Sequence, residues 1–214
     1  ALCLAFAQAG ASLVLHYRGD PGKARELLAG LPGAERHLLL EADASDEAAV
    51  EAGLGELKSR GLGVDVLVNN AGAYPVAALG DLTAQEFRAV LDGNLTCAHI
   101  FSRSALALMG PGSAIVNIAS VEALRPGRGH AHYAAAKAAL VHYTKSQALE
   151  LAGRGIRANA VCPGLLSRPG LEATWPAGLG AWKRASPSNR PGLPGEVAEA
   201  CLFLASAGAS WING

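Results

Sequence analysis

The sequence predicts an α/β fold in which a doubly wound parallel sheet is covered by helices on both faces. Short, continuous apolar runs alternate with helical segments of about ten to twenty residues, which is the pattern of βα units. The 214 residues are 50% hydrophobic and 17% charged, which suits a single domain, residues 1–214, with a buried core. Eighteen basic residues balance eighteen acidic ones, so charge does not indicate binding to nucleic acid or to an anionic membrane.

Each element has its own local signal along the chain. A helix over residues 1–9 ends at Gly10, a residue that favours the C-terminal cap, and Pro21 suits the first turn of the next helix. Thr83 and Glu86 form a capping box that starts a later helix. The predicted strands lie at residues 13–15, 38–40, 64–68, 114–118 and 156–161. The predicted helices lie at residues 1–9, 21–31, 46–60, from 83 onward, 132–152 and 195–205.

One connection is too long for this rhythm. Residues 163–194 are rich in proline and glycine, and connections of this length are usually functional. We predict a substrate-binding loop or lid here. Trp175 and Trp182 lie within it, and two interpretations stay open: they line an apolar substrate pocket, or they pack the lid against the domain.

The cysteines and the first residues bear on the compartment. The four cysteines are far apart and show no paired spacing, which is typical of small buried side chains in a reducing compartment. The first fifteen residues are mostly apolar but lack the basic start of a signal peptide, and no stretch reaches the roughly 18 apolar residues of a membrane span. We therefore expect a cytoplasmic protein that does not enter a membrane.

Two hydroxyl groups and an amine stand where they could act together. Tyr133 and Lys137 are four residues apart on a predicted helix, so they share a face. A phenol with a pKa of about 10 is a poor acid–base catalyst near neutral pH, and a nearby ammonium would lower that pKa. Ser120 follows the apolar run 114–118, where ligands bind in parallel sheets. It would donate a hydrogen bond to a carbonyl oxygen or simply cap a turn, and the Tyr133–Lys137 spacing alone is a weak signal.

Together with their neighbours, these residues resemble the motifs of the classical short-chain dehydrogenase/reductase family. The resemblance runs from residue 1 to 214, and among family members the chain is similar to 3-oxoacyl-[acyl-carrier-protein] reductases. It is carried, in the family's order and spacing, by Asn69-Asn70-Ala71-Gly72, Asn94, Ser120, Tyr133-Ala134-Ala135-Ala136-Lys137 and Pro163-Gly164. The resemblance implies a Rossmann-like fold and hydride transfer between a nicotinamide cofactor and a carbonyl or secondary alcohol.

The resemblance also implies a role for each catalytic residue. Ser120 would orient and polarise the carbonyl, and Tyr133 would give or take the proton. Lys137 would lower the tyrosine pKa and hold the nicotinamide ribose. Asn94 would anchor a water that links Lys137 to solvent. The implied cofactor-binding residues are Tyr17, Arg18, Asp43, Ala44, Asn69, Ala71, Gly72, Tyr133, Lys137, Pro163, Gly164 and Leu166.

The residues that indicate cofactor preference follow the strand at residues 13–15. Tyr17 stands where an acidic residue would bind the ribose 2′-hydroxyl of NAD, and the next residue, Arg18, could pair with the 2′-phosphate of NADP. We therefore favour NADP(H), with NAD(H) as the alternative. Asp43 resembles a family residue near the adenine, beside Ala44, although a role in a turn is an equal alternative.

The chain departs from the family pattern at both ends. It starts within the helix that would follow the Gly-rich phosphate-binding turn, so the first family strand, between those at 13–16 and 64–68, is not included. The last family strand, after Gly214, is also not included. We expect residues 1–214 alone to fold poorly and to bind cofactor weakly.

Other assignments stay open. An NAD-dependent sugar or secondary-alcohol dehydrogenase and a catalytically silent nucleotide-binding fragment are the alternatives to an NADPH-dependent reductase. His130 and His132 have metal-like spacing, but the sequence shows no acidic or cysteine partner for them, so no metal is expected. Glu122, two residues past Ser120, resembles a pocket-wall position of the family, and a solvated carboxylate is the default interpretation. The family resemblance also implies a homodimer or homotetramer.

Overall fold

The computed structural model describes residues 1–214 and contains five strands, all of them parallel to their neighbours. The strands are β1 (Val14–Tyr17), β2 (Leu38–Glu41), β3 (Val66–Asn69), β4 (Ala114–Ile118) and β5 (Arg157–Val161). They form a two-stranded sheet, β1–β2, and a three-stranded sheet in the order β3–β4–β5. The predicted α/β parallel architecture is confirmed.

Nine α-helices connect and cover the strands. They are α1 (Leu2–Gln8), α2 (Pro21–Ala29), α3 (Glu47–Ser59), α4 (Ala84–Leu91), α5 (Cys97–Ala105), α6 (Ala131–Leu151), α7 (Leu171–Thr174), α8 (Pro176–Ala185) and α9 (Pro194–Ala205). Side chains fix several of the starts: Asp20 and Asp46 cap α2 and α3, and the predicted capping box of Thr83 and Glu86 starts α4. None of these helices has both the length and the apolar character needed to cross a membrane.

Packing rather than hydrogen bonding joins the two sheets. β1 and β3 each pair with one neighbour only, and no ladder connects them. One core cluster nevertheless takes side chains from both sheets, Leu40 of β2 and Ile115 of β4 among them. Across the other face, Phe6 of α1 packs with Val116 of β4, and Ala7 packs with Leu28 of α2. The apolar material predicted for a core therefore bridges the sheets.

Three features differ from the sequence predictions. β1 covers residues 14–17 rather than 13–15, because it pairs residue by residue with β2 from Val14 opposite Leu38, and β3 likewise follows the register of β4. Helix α5 was not predicted; it continues α4 through a π-helical turn, Asp92–Thr96. The segment 163–194 is not an irregular loop, since it contains α7 and α8.

Candidate active site

The carboxyl ends of β3, β4 and β5 meet at one edge of the sheet and bring three of the predicted motifs together. Ser120 lies just beyond β4, and the backbone N–H of Val121 donates to the carbonyl of Pro163, 2.8 Å away, beyond β5. At the end of β3, Asn69 Nδ2 donates to Asn117 Oδ1 of β4 at 2.8 Å. Parallel strands place their following loops at a common edge, which is where ligands bind in open α/β sheets.

Helix α6 supplies the other two reactive side chains to this edge. Tyr133 is half-buried, and the Nζ atom of Lys137 lies 5.7 Å from the centre of its ring. The Lys137 side chain is buried, and its Nζ donates to the carbonyl of Ile118 at 2.8 Å. Burial lowers the pKa of Lys137, because desolvation disfavours the charged ammonium.

The pKa of Tyr133 is raised, which differs from the expectation for this residue. Burial is the largest cause; hydrogen bonding with Ser120 lowers the pKa, and the charge of Glu122 raises it. The predicted lowering by Lys137 is not observed, because that ammonium bonds the Ile118 carbonyl and is itself disfavoured by burial. Ser120, rather than Lys137, is the neighbour that favours the phenolate in this arrangement.

Asn94 sits where the predicted motifs converge, in the π-helical turn between α4 and α5. The side chain is buried, and its Nδ2 donates to the carbonyls of Val90 and Ala73 at 2.9 and 2.8 Å. A Cβ on Gly72 would lie 2.5 Å from Asn94 Oδ1 and 3.4 Å from Lys137 Nζ, so a side chain at position 72 has no room. This close approach requires the glycine of the Asn-Asn-Ala-Gly motif.

Two observations at this edge fit a nicotinamide cofactor. The Oδ1 atom of Asn94 is buried without a hydrogen-bond partner, which leaves an open acceptor beside the Lys137 ammonium. Residues 70–72, beyond the carboxyl end of β3, are exposed, and a ribose could approach them closely. Lys137 could hold the nicotinamide ribose, and residues 71 and 72 could line the adenosine ribose.

A second cluster lies at the carboxyl ends of β1 and β2. Tyr17 Oη donates to Glu41 at 2.9 Å, and that hydrogen bond raises the pKa of the Tyr17 phenol. Arg18 Nη1 donates to Asp43 Oδ2 at 3.1 Å, with the Arg18 side chain 73% exposed. Asp43 also accepts the N–H and the hydroxyl of Ser45 at 2.9 and 2.6 Å. Asp43 therefore has the turn role that was left open; Ala44, between these residues, is half-buried.

The hydrogen bonds to Asp43 set its ionisation. They hold its pKa at about 2, with the two from Ser45 as the largest causes and Arg18 next. This carboxylate is charged throughout the neutral range.

The segment 163–194 is fastened at both ends. Ser167 N–H donates to the Gly192 carbonyl at 2.8 Å, and Gly192 N–H donates to the Leu165 carbonyl at 2.9 Å, beside a parallel bridge between Leu166 and Gly192. The ring of Trp182 covers Gly164 so closely that a Cβ there would clash with it. Trp182 therefore packs against Gly164 within the segment, and it also lines the cavity beside it.

A cavity of about 300 Å³ lies between this segment and α9. Pro163, Leu166, Trp182 and Glu196 are among the residues that line it. Ser120, Tyr133 and Lys137 are not part of its wall.

Sequence reasoning missed the buried network of Asn117. This β4 side chain is fully buried; its Nδ2 donates to Thr144 Oγ1 at 2.8 Å and to Gln147 Oε1 at 2.7 Å, both on α6. With its Oδ1 accepting from Asn69, it connects β3, β4 and the helix of Tyr133. The available signal was an asparagine in the middle of an otherwise apolar strand, because buried polar groups need partners.

The contacts of Glu122 and His130 differ from those expected from the sequence. Glu122 is not a solvated carboxylate, since its Oε1 and Oε2 lie 2.9 and 3.0 Å from His130 Nδ1 and both side chains are about one-fifth exposed. His130 therefore has the acidic partner that the sequence did not show. Their separation of eight residues across a turn has no periodic signal, so only the folded chain could pair them.

Comparison with known proteins places this geometry among related enzymes. The family model described as "Enoyl-(Acyl carrier protein) reductase" matches residues 1–214. The uncharacterized short-chain type dehydrogenase/reductase y4vI of Sinorhizobium fredii is 42% identical over 184 residues, 84% of this chain but only 34% of that protein's length. The 3-oxoacyl-[acyl-carrier-protein] reductase FabG of Chlamydia trachomatis is 32% identical over 216 residues, 98% of this chain and 86% of that protein.

The solved structures agree with the sequence comparison. A short-chain dehydrogenase from Burkholderia cenocepacia, crystallised in complex with NADP, superposes with a TM-score of 0.90 at 30% identity. The match covers 99% of this chain and 87% of that one. The arrangement of strands and helices described above is thus shared with a protein that binds a dinucleotide.

Proposed function

Because this chain belongs to the short-chain dehydrogenase/reductase family of oxidoreductases, we propose that it catalyses hydride transfer between NADP(H) and a carbonyl or secondary alcohol, with a 3-oxoacyl compound as the favoured substrate. The observation that carries the proposal is the convergence of Ser120, Tyr133, Lys137 and Asn94 at the carboxyl edge of one sheet. The similarity to FabG supports the 3-oxoacyl assignment.

Each of these side chains has a chemical role. The nicotinamide cofactor, when bound, supplies or accepts the hydride. Ser120 donates a hydrogen bond to the carbonyl oxygen, and Tyr133 gives that oxygen its proton in reduction or removes it in oxidation. Lys137 holds the nicotinamide ribose and, from its buried position, supplies positive charge near the phenol when it is protonated. Asn94 offers its open Oδ1 to a water or to the Lys137 ammonium.

NADP(H) is the favoured cofactor because Arg18 follows β1 and because Tyr17 stands at the position where an acidic residue would favour NAD. The Arg18 guanidinium is mostly exposed, so a 2′-phosphate could reach it. That phosphate would compete with Asp43, the present partner of Arg18. Pro163, Gly164 and the backbone of Leu166 would hold the nicotinamide carboxamide, with Asn69, Ala71 and Gly72 along the adenosine ribose.

The segment 163–194 is proposed to act as the substrate lid. Its two ends are tied together at Leu165 and Gly192, while Trp175 near its middle is half exposed. Such an arrangement allows α7 and α8 to move about a fixed base, which is how lids commonly admit substrate.

A homodimer or homotetramer through α6 is also proposed. Its outer face exposes Ala135, Ala138 and Leu149, and Leu149 is 81% exposed. These small and apolar side chains recur along one side of the helix, and such a side suits close packing against a second helix. The four cysteines are unpaired, which is consistent with the reducing cytoplasm that we propose as the location.

The proposal is tested by cofactor titration followed by turnover. We would titrate the purified protein with NADPH and with NADH and follow tryptophan fluorescence, since Trp182 covers Gly164. Cofactor oxidation would then be measured with 3-oxo esters, simple ketones and a vicinal hydroxyketone. We expect tighter binding of NADPH, turnover with a 3-oxo ester, and loss of turnover in Tyr133→Phe.

Other results would replace the proposal in defined ways. Preference for NADH with turnover of the hydroxyketone would favour an NAD-dependent secondary-alcohol dehydrogenase. Binding of either cofactor without turnover of any substrate, in protein that melts cooperatively, would favour the catalytically silent alternative.

A further inference from the structure

Ser120 and Tyr133 stand on different elements that are joined by an exposed connection. Ser120 follows β4, Tyr133 lies in the first turn of α6, and residues 124–128 between them are exposed. A reaction that uses both hydroxyls on one oxygen requires their spacing to be held within a fraction of an ångström. A solvated connection of this kind does not provide such precision by itself.

Glu122 bridges the two sides of this connection. Its backbone N–H donates to Ser120 Oγ at 3.1 Å. Its carboxylate accepts from His130 Nδ1 at 2.9 Å and from the Gly127 N–H at 3.2 Å. One residue therefore contacts the serine hydroxyl through its main chain and the start of α6 through its side chain.

His130 lies between the Glu122 carboxylate and Tyr133 and contacts both. It is the residue immediately before α6, and its ring stands edge-on to Tyr133 with 5.9 Å between ring centres. The Nε2 atom of His130 is buried without a hydrogen-bond partner, so the carboxylate of Glu122 makes the polar contact that orients the ring. Rotation of the ring would break the hydrogen bond of His130 Nδ1 to Glu122, which costs free energy.

The Glu122–His130 pair is less exposed to solvent than the ion pairs of the protein. Both side chains are about one-fifth exposed, whereas the side chains of the Arg103–Glu51 and Arg190–Glu196 pairs are about half exposed. Solvent-exposed pairs hold geometry weakly, and a shielded, doubly hydrogen-bonded carboxylate holds it more firmly.

We propose that Glu122 and His130 are positioning residues that hold the hydroxyls of Ser120 and Tyr133 at the spacing required for proton transfer to the substrate oxygen. This inference rests on the proposed function. It adds a second consequence, because the charge of Glu122 also raises the pKa of Tyr133. The other titratable groups that face the tyrosine are Tyr74, 6.1 Å away between ring centres, and Lys137.

Three single variants and one double variant separate the positioning by Glu122 and His130 from the effect of the Glu122 charge on the pKa of Tyr133. Glu122→Ala and His130→Ala each remove the bridge, and we expect kcat to fall about tenfold to a hundredfold with the NADPH Kd unchanged. Glu122→Gln keeps a hydrogen-bond acceptor for His130 and Gly127, and we expect kcat within about threefold of the original. The double variant Glu122→Ala/His130→Ala should be no worse than either single variant. Glu47→Ala, at an exposed ion pair with Arg103, is the control.

The pH profile distinguishes positioning from a purely structural role. Removal of the negative charge in Glu122→Gln lowers the pKa of Tyr133, so the rising limb of alcohol oxidation should move to lower pH. Equal kcat values in the wild type and both alanine variants would overturn the proposal, and so would additive losses in the double variant or an unmoved limb in Glu122→Gln.

A spectroscopic measurement keeps this test independent of turnover. The ionisation of Tyr133 can be followed by ultraviolet difference absorbance of the phenolate, with Tyr133→Phe as the reference. A downward shift in Glu122→Gln, in protein without turnover, would support the Glu122 contact and overturn the proposed function alone. No shift would overturn the inference about Glu122, whatever the activity.

Discussion

The two edges that we propose bind the cofactor and the substrate are built differently. Around Ser120 and Tyr133 the side chains are buried or half-buried and are anchored on a three-stranded sheet and a 21-residue helix. Around Arg18 and Asp43 the side chains are exposed or half-exposed and stand on a two-stranded sheet. The first edge is held by shielded hydrogen bonds, and the second by contacts that water and salt weaken.

This difference indicates how each edge responds to change. A substitution among the buried groups leaves unpaired polar atoms behind and disturbs fold and chemistry together. A substitution among the exposed groups changes which charge a ligand meets and leaves the fold largely intact. Catalysis and cofactor preference should therefore separate experimentally.

The largest effect is expected at the tyrosine. Tyr133→Phe removes the proposed proton donor while keeping the ring against His130 and Tyr74, so kcat should fall about a thousandfold with cofactor binding retained. Tyr143→Phe, on the same helix but bonded to His99, is the matched control. A similar loss in both variants would show that α6 had been disturbed rather than its chemistry.

A large loss of stability is expected from the buried network. Asn117→Ala leaves Asn69, Thr144 and Gln147 without their shared hydrogen-bond partner. The free energy of unfolding should therefore fall by about 3 kcal/mol. Urea denaturation measures this change. Glu41→Ala, at the exposed edge beside Tyr17, should change stability little; an equal loss there would remove the distinction between the two edges.

A change in cofactor preference without a change in fold is expected at the exposed edge. Arg18→Glu puts a negative charge where a 2′-phosphate would bind, so the ratio of NADPH to NADH affinity should fall about tenfold or more. Lys23→Glu, an exposed residue on α2, makes the same charge change as a control. An unaltered ratio would place the phosphate elsewhere.

The smallest effect concerns the ionisation of Asp43. Its folded pKa of about 2 lies below the unfolded value of about 3.9, so its contribution to stability is complete above pH 4 and is lost as the pH falls toward 2. NMR titration of the carboxyl should show the pKa rising in Ser45→Ala, which removes the hydroxyl hydrogen bond, and in Arg18→Ala, which removes the ion pair. An unchanged pKa in Ser45→Ala would contradict the leading role of that hydroxyl.

The candidate site was predictable wherever it follows from local order. Strand ends place Asn69, Ser120 and Pro163 at one edge, and helical spacing places Tyr133 beside Lys137, so both groups follow from periodicity. Helix α5 could not be read in this way, because the π-helical turn at Asp92–Thr96 shifts the phase of its buried face relative to α4. The helices of the 163–194 segment were hidden by their proline and glycine content.

The sequence by itself therefore determined the alternation of strands and helices, the capping box of α4, and which residues reach the carboxyl edge. Only the tertiary structure decided the pairing of Glu122 with His130, the network of Asn117, the contact of Gly72 with Asn94 and the raised pKa of Tyr133. These contacts and this pKa depend on burial and on distances between segments that no local sequence pattern relates. Local sequence patterns indicate which way a side chain points. Its neighbours and the dielectric environment around it are determined only when the chain packs.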